Sequence, residues 1–220
     1  MKTYIITDAL SSLGRGLAMK LAEQNHSLIL SGDNYSELEN LLEEIKEISD
    51  VHHEVFLLEQ SKEIDWLNMV EKIDSTFDGL SGIVFIHSIH TENNSVYDVS
   101  YEEFNQVMNE HAWGTYLGIR TLRNQLKEGE RAQVINVVEP TTEESFEHNL
   151  YYTVTGAIKS LTRSMAAELS REAIDVYTLS YKPKESEDTF ETNDASATRI
   201  ILRILEGDDS FTPGKSITIH

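Results

Sequence analysis

Histidine, carboxylate and phenol side chains are the groups of this 220-residue chain that could carry chemistry, because it contains no cysteine. That absence excludes a thiolate nucleophile, a disulfide and a Cys-ligated zinc. His87, His90, His111 and Glu139 map to the carboxyl-end cleft of the expected sheet, and imidazole with carboxylate suits zinc, nickel or iron. With eight histidines in the chain, chance clustering near a cleft is the simpler reading, and no metal site is assigned. Tyr151 offers a phenol. At an unperturbed pKa of about 10, roughly one part in a thousand is ionised at pH 7, so without a neighbouring cation it is a proton donor rather than a base. Asp8 stands just before Ser11 and Ser12, either of which caps a helix. Its carboxylate either points outward or occupies the anion site at that helix N-terminus, complementing the dipole.

These groups must be held by a regular scaffold. Short β-rich runs at Thr3–Thr7, Ser27–Ser31, Glu54–Leu58, Ile83–His87, Gln133–Val138, Asp175–Leu179 and Ser216–Ile219 alternate with longer helical patterns. Leu38, Leu41, Leu42, Ile45 and Ile48 repeat at helical spacing, as do Ile158, Leu161, Met165 and Leu169, each giving one apolar face. Strands alternating with amphipathic helices predict an α/β fold, a doubly wound parallel sheet (Rossmann-like) of seven strands with helices on both faces. The length suits a single domain over residues 1–220. Lys182–Asp194, polar and acidic, is expected to be a surface loop or flap.

Charge narrows the partners. Lys plus Arg number 18 against Asp plus Glu 38, a net −20, and that field repels phosphate backbones and anionic lipid heads. Neither nucleic acid nor membrane is therefore an expected partner, and no apolar run reaches membrane length. A cytoplasmic location is the expectation, which the lack of cysteine suits.

Several segments together carry a family resemblance: ITDALSSLGRGLA (6–18), LSGDNYSELENL (30–41), GIVFIHSI (82–89), QVINVVE (133–139) and above all YYTVTGAIKSLTRSMAAELS (151–170). In order and spacing they resemble the short-chain dehydrogenase/reductase family, whose Rossmann sheet binds a nicotinamide dinucleotide. The resemblance implies cofactor contacts at Thr7, Asp8, Ser12 and Gly14, where the family carries Thr-Gly-x-x-x-Gly-x-Gly, at Asp33 after the second strand, and at Glu59 near an adenine-contacting aspartate. Two of the three glycines are replaced. A carboxylate about 4 Å from a phosphate costs about 1 kcal/mol in water and about 4 kcal/mol at an effective dielectric near ~20, so no cofactor is favoured. If any dinucleotide binds, the acid at Asp33 favours NAD over a 2′-phosphate. Ile86-His87-Ser88-Ile89 also fills a place where the family carries small residues.

The same alignment puts Tyr151 at the catalytic tyrosine, Thr155 at the lysine that lowers its pKa, Glu139 (or Val138) at the serine and His111 at the asparagine of the proton relay. Tyr152 and Lys159 also resemble the spacing of divergent enoyl reductases, although the register of the following helix sets Lys159 one turn too far along. The leading expectation is therefore a non-catalytic binding or regulatory subunit, a homo- or hetero-oligomer assembled through the 101–127 and 150–170 helices as family members pair. The alternatives are an NAD(H)-dependent oxidoreductase acting on a small carbonyl or alcohol through Tyr151, aided by His111, and a metal- or small-ligand-binding protein using the cleft histidines.

Overall fold

A computed structural model describes residues 1–89, 95–129, 131–139, 149–181 and 190–219. The seven strands are β1 (Thr3–Ile6), β2 (Ser27–Gly32), β3 (Glu54–Leu57), β4 (Gly82–Ile86), β5 (Ala132–Val138), β6 (Ile174–Ser180) and β7 (Ser216–Thr218). They form one sheet in the order β3-β2-β1-β4-β5-β6-β7, with every pair parallel. All seven expected strands are present, with no boundary moved by more than one residue. β1, β2, β4, β5 and β6 are buried along almost their whole length because a parallel sheet covered on both faces exposes neither side to water.

Pleating sends alternate residues to opposite layers. Tyr4, Ile6, Val84, Ile86, Ile135 and Val137 pack on one face beneath α1 (Ser12–Glu23), α2 (Tyr35–Lys46) and α8 (Phe190–Leu205). Ile5, Ile83, Phe85, Val134 and Val176 pack on the other, with α3 (Glu63–Thr76), α5 (Gly114–Thr121), α6 (Arg123–Glu128) and α7 (Asn149–Leu169). Each fully buried Leu, Ile or Phe contributes about 1.5–3 kcal/mol of transfer free energy. Helix starts follow the sequence: Ser11 Oγ accepts from the Gly14 N–H at 3.1 Å, and Ser100 Oγ, ahead of α4 (Tyr101–Val107), accepts from the Glu103 N–H at 3.0 Å. Between α4 and α5 the backbone widens to a π-helical turn, Met108–Trp113. Such turns inside helices often mark functional sites.

One sequence expectation fails in part here. Phe190–Asp194 belong to α8, not to a loop, while 182–189 lie outside the described residues. After Phe190 the helix continues through Glu191, Thr192, Asn193 and Asp194, and its buried apolar stripe runs from Ala197 through Ile201 and Ile204, so composition hid its first turns.

Candidate active site

Winding reverses between β1 and β4, which are neighbours in the sheet although β2 and β3 intervene in sequence. The carboxyl ends of strands at such a reversal open a crevice that binds ligands. Thr7 closes its floor: its hydroxyl accepts from the Ile86 N–H at 3.0 Å and ties the two strands together. Asp8 follows at φ 48°, a left-handed conformation normally given to glycine. A Cβ on Gly14 would lie 2.4 Å from the Asp8 carbonyl oxygen, so this turn packs on the first turn of α1 only with glycine there.

The Asp8 carboxylate accepts a hydrogen bond from Ser88 at the end of β4. The acid expected to repel a phosphate is thus bonded across the crevice to a serine. A second carboxylate, which sequence reasoning assigned to a surface flap, does reach that helix. Asp194 on α8 accepts from Ser12 Oγ at 2.6 Å and from the Tyr181 hydroxyl at 2.9 Å. Both acids are held by hydroxyl donors, which disperse their charge.

Beside the crevice, Gly32, Asp33, Leu58, Glu59, Gln60, Asp65 and Trp113 line a cavity of about 860 Å³ at the ends of β2 and β3. Its size is that of a small-molecule site. Asp33 supplies a carboxylate that can accept from ribose hydroxyls and repels an added phosphate, and Leu58 and Trp113 supply apolar surface. These residues fit the adenosine end of a dinucleotide. Glu59 reaches the cavity as one half of an ion pair with Lys62 at 2.5 Å.

On the other side of the reversal stands Tyr151, half-buried in the first turns of α7. Burial, and secondarily the negative charge of Glu139, hold its phenol well above its ordinary pKa, while the Thr155 side chain and the Glu139 backbone oppose this in part. Glu139 itself is exposed at the end of β5. Thr155 is fully buried, one helical turn along the same face. Lys159, a further turn on, is partly buried and its pKa is lowered by desolvation.

His111 lies in the π-helical turn and is 6% exposed. Its Nδ1 is 3.4 Å from Nδ1 of His87, which is 3% exposed at the end of β4. Burial pushes His87 down to about 4, against an opposing hydrogen bond to Asn136, so it is neutral at pH 7. Asn136, an amide inside the Val- and Ile-rich β5, and Thr115 complete this group. Sequence reasoning missed both; a polar residue amid a buried strand was the available signal. Among the described residues no group of three or more His, Asp or Glu side chains could hold a metal, and His90 lies outside them.

A doubly wound parallel sheet with a cavity beside its winding reversal, and a tyrosine on the helix after β5, is the architecture of the Rossmann class. Within that class the chain belongs to the short-chain dehydrogenase/reductase family: the family model described as enoyl-(acyl carrier protein) reductase matches residues 9–200. It is similar to a diacetyl reductase [(S)-acetoin forming] of Staphylococcus epidermidis, 27% identical over 179 residues, 80% of this chain and 68% of that one. Among solved structures it superposes on 3-ketoacyl-(acyl-carrier-protein) reductase from Brucella melitensis complexed with NADH, with TM-score 0.86, 21% identity, and 99% and 96% of the two chains covered. L-sorbose reductase from Gluconobacter frateurii, complexed with NADPH and L-sorbose, gives TM-score 0.88 at 13% identity, with 99% and 94% covered.

Two expectations are corrected. A non-catalytic subunit does not stand against the relationship to a diacetyl reductase, the reductases sharing the fold, and the presence of Tyr151 and of the bonded pair His87 and His111. The absence of a favoured cofactor does not stand either, since structures of this fold hold NADH and NADPH and the acid thought to exclude them is bonded to Ser88. Among the described residues no helix is long and apolar enough to cross a membrane.

Proposed function

We propose that this protein is an NAD(H)-dependent oxidoreductase that reduces a small carbonyl compound, with Tyr151 as proton donor and His111 assisting. The observation that carries this reading is the half-buried Tyr151 phenol, held protonated by burial and by the charge of Glu139. A bound reduced nicotinamide supplies the hydride. Tyr151 supplies the proton to the carbonyl oxygen as negative charge develops there, a general-acid role. Because Thr155 stands where the family carries a lysine, no cation brings the phenol toward ionisation, and the hydrogen bonds that lower its pKa are outweighed by burial. The site is thus suited to reduction, which needs the phenol, rather than to alcohol oxidation, which needs the phenolate. Relatedness to a diacetyl reductase supports a small ketone or diketone substrate; Tyr152 and Lys159 have no role in this reading.

Asp33, Glu59 and the glycine-bearing turn Thr7–Gly14 are the cofactor contacts we infer. Asp33 is the selective one, favouring NADH over NADPH by charge. With Asp33→Ser, the ratio of kcat/KM for NADH over NADPH in diacetyl reduction is expected to fall by about tenfold, the loss of one like-charge repulsion. An unchanged ratio would remove Asp33 from the cofactor site, and no reduction of any short ketone or diketone by the wild type would refute the function.

We further infer that residues 1–220 work as one Rossmann-like unit in the cytoplasm, and that the 101–127 and 150–170 helices pair two copies. Tyr101, Phe104 and Tyr116, which are 77%, 39% and 42% exposed, support the pairing, since exposed aromatic clusters favour protein contact.

A further inference from the structure

His87 is a buried imidazole whose role the reaction above does not use, and its hydrogen bonds determine which of its nitrogens carries the proton. Around Nε2 lie two groups. Asn136 Oδ1 is 3.3 Å away, and the amide is oriented by its own Nδ2, which donates to Thr162 Oγ1 on α7 at 3.1 Å. Thr115 Oγ1 is 3.4 Å away, and its hydrogen is already given to the His111 carbonyl oxygen at 2.8 Å. Both groups can therefore only accept, and Nε2 must be the nitrogen that donates. A neutral imidazole has one N–H, so Nδ1 of His87 carries the lone pair. Facing it at 3.4 Å is Nδ1 of His111, which must then be the donor.

We propose that His87 is a positioning residue that fixes His111 as its Nδ1–H tautomer, leaving Nε2 of His111 as the nitrogen that takes and gives the relayed proton. The relation is that of an orienting acceptor behind a general acid–base histidine, the part a carboxylate plays in hydrolase triads, here filled by a neutral imidazole. Several features hold the pair rigid. Phe85 stacks on His87 with rings 7° from parallel and centroids 6.2 Å apart, and the two histidine rings meet edge to face at 72°. The His87 backbone N–H donates to the Val137 carbonyl oxygen at 3.0 Å, extending the β4–β5 ladder and fixing where the ring begins. The π-helical turn fixes the backbone of His111. Because His87 is neutral and buried, it accepts from a neutral or a protonated His111 without adding charge of its own.

This inference rests on the proposed reaction for its catalytic consequence but not for its structural content, and the test separates the two. In protein labelled with nitrogen-15 at histidine, the His111 resonances, assigned by loss in His111→Gln, are expected to show a protonated Nδ1 and an unprotonated Nε2. In His87→Phe, which keeps the ring but removes the acceptor, His111 should revert to the Nε2–H tautomer. There kcat for carbonyl reduction should fall at least about tenfold with KM changed less than about twofold. His87→Asn restores an acceptor close to the position of Nδ1 and should recover both the tautomer and most of kcat. A wild-type spectrum with His111 protonated at Nε2 overturns the proposal, as does His87→Phe with tautomer and kcat unchanged. If the wild type turns over no carbonyl substrate, the reaction fails while the spectrum still decides the tautomer.

Discussion

Replacing Tyr151 by phenylalanine is expected to lower kcat for carbonyl reduction by about 10²–10⁴-fold, the usual worth of a general acid, while NADH affinity and Tm stay close to wild type. Only one oxygen is removed and the ring still packs on α7, so the fold should move by no more than about 1 kcal/mol. The pH profile carries the sign of the argument. Reduction needs the protonated phenol, and burial followed by the Glu139 charge raises its pKa above the ordinary value. Activity limited by this group is therefore present at all pH values below that raised pKa and lost only above it. A reductive kcat/KM that is flat through neutral pH, with alcohol oxidation much slower under the same conditions, agrees with this. A Tyr151→Phe enzyme with undiminished kcat, or a wild-type rate falling between pH 7 and 9, would remove Tyr151 from the reaction.

Acid should destabilise the fold through its buried histidines. His53 is 4% exposed and is pushed down to about 4, first by burial and then by the charges of His52 and Lys46. Neither of its ring nitrogens has a hydrogen-bond partner among the described residues. His87 is likewise lowered to about 4, by burial. In the unfolded chain both titrate near ~6.5. Between pH 6.5 and 4 the unfolded state binds protons that the folded state refuses, so stability rises with pH across this window and is fully present above it. The separation from about 6.5 to about 4, at about 1.4 kcal/mol per pH unit, is on the order of 3 kcal/mol for each histidine. Thermal melts between pH 7.5 and 4.5 should show Tm falling steeply below pH 6.5, and His53→Leu should remove about half of that slope. Melts with a Tm constant over the window, or a slope unaltered in His53→Leu, would show that these rings are not the acid-sensitive groups.

The sheet was legible because parallel strands buried on both faces leave runs such as Ile83–Ile86 and Val134–Val138 that water-facing segments do not produce. The helix that carries Tyr151 was legible through the order of apolar and small residues over 156–170. The polar network was not. His87, His111, Thr115, Asn136 and Thr162 come from β4, the π-helical turn, α5, β5 and α7, and no spacing in the sequence joins them. Asp8 failed differently. Its charge was read correctly, but the direction of its side chain depends on a left-handed backbone and on a serine 80 positions away. The electrostatic penalty reckoned for an unpaired carboxylate is therefore smaller for one already accepting a hydrogen bond.

The proposed reduction requires the crevice at the β1–β4 reversal to hold a reduced nicotinamide dinucleotide despite its acids. Titrating the wild-type protein with NADH by calorimetry tests this most directly. Saturable binding with Kd in the micromolar range, about −7 to −8 kcal/mol, weakened in Asp33→Ser and retained in Tyr151→Phe, is the predicted result. An absence of binding heat up to millimolar NADH would contradict it.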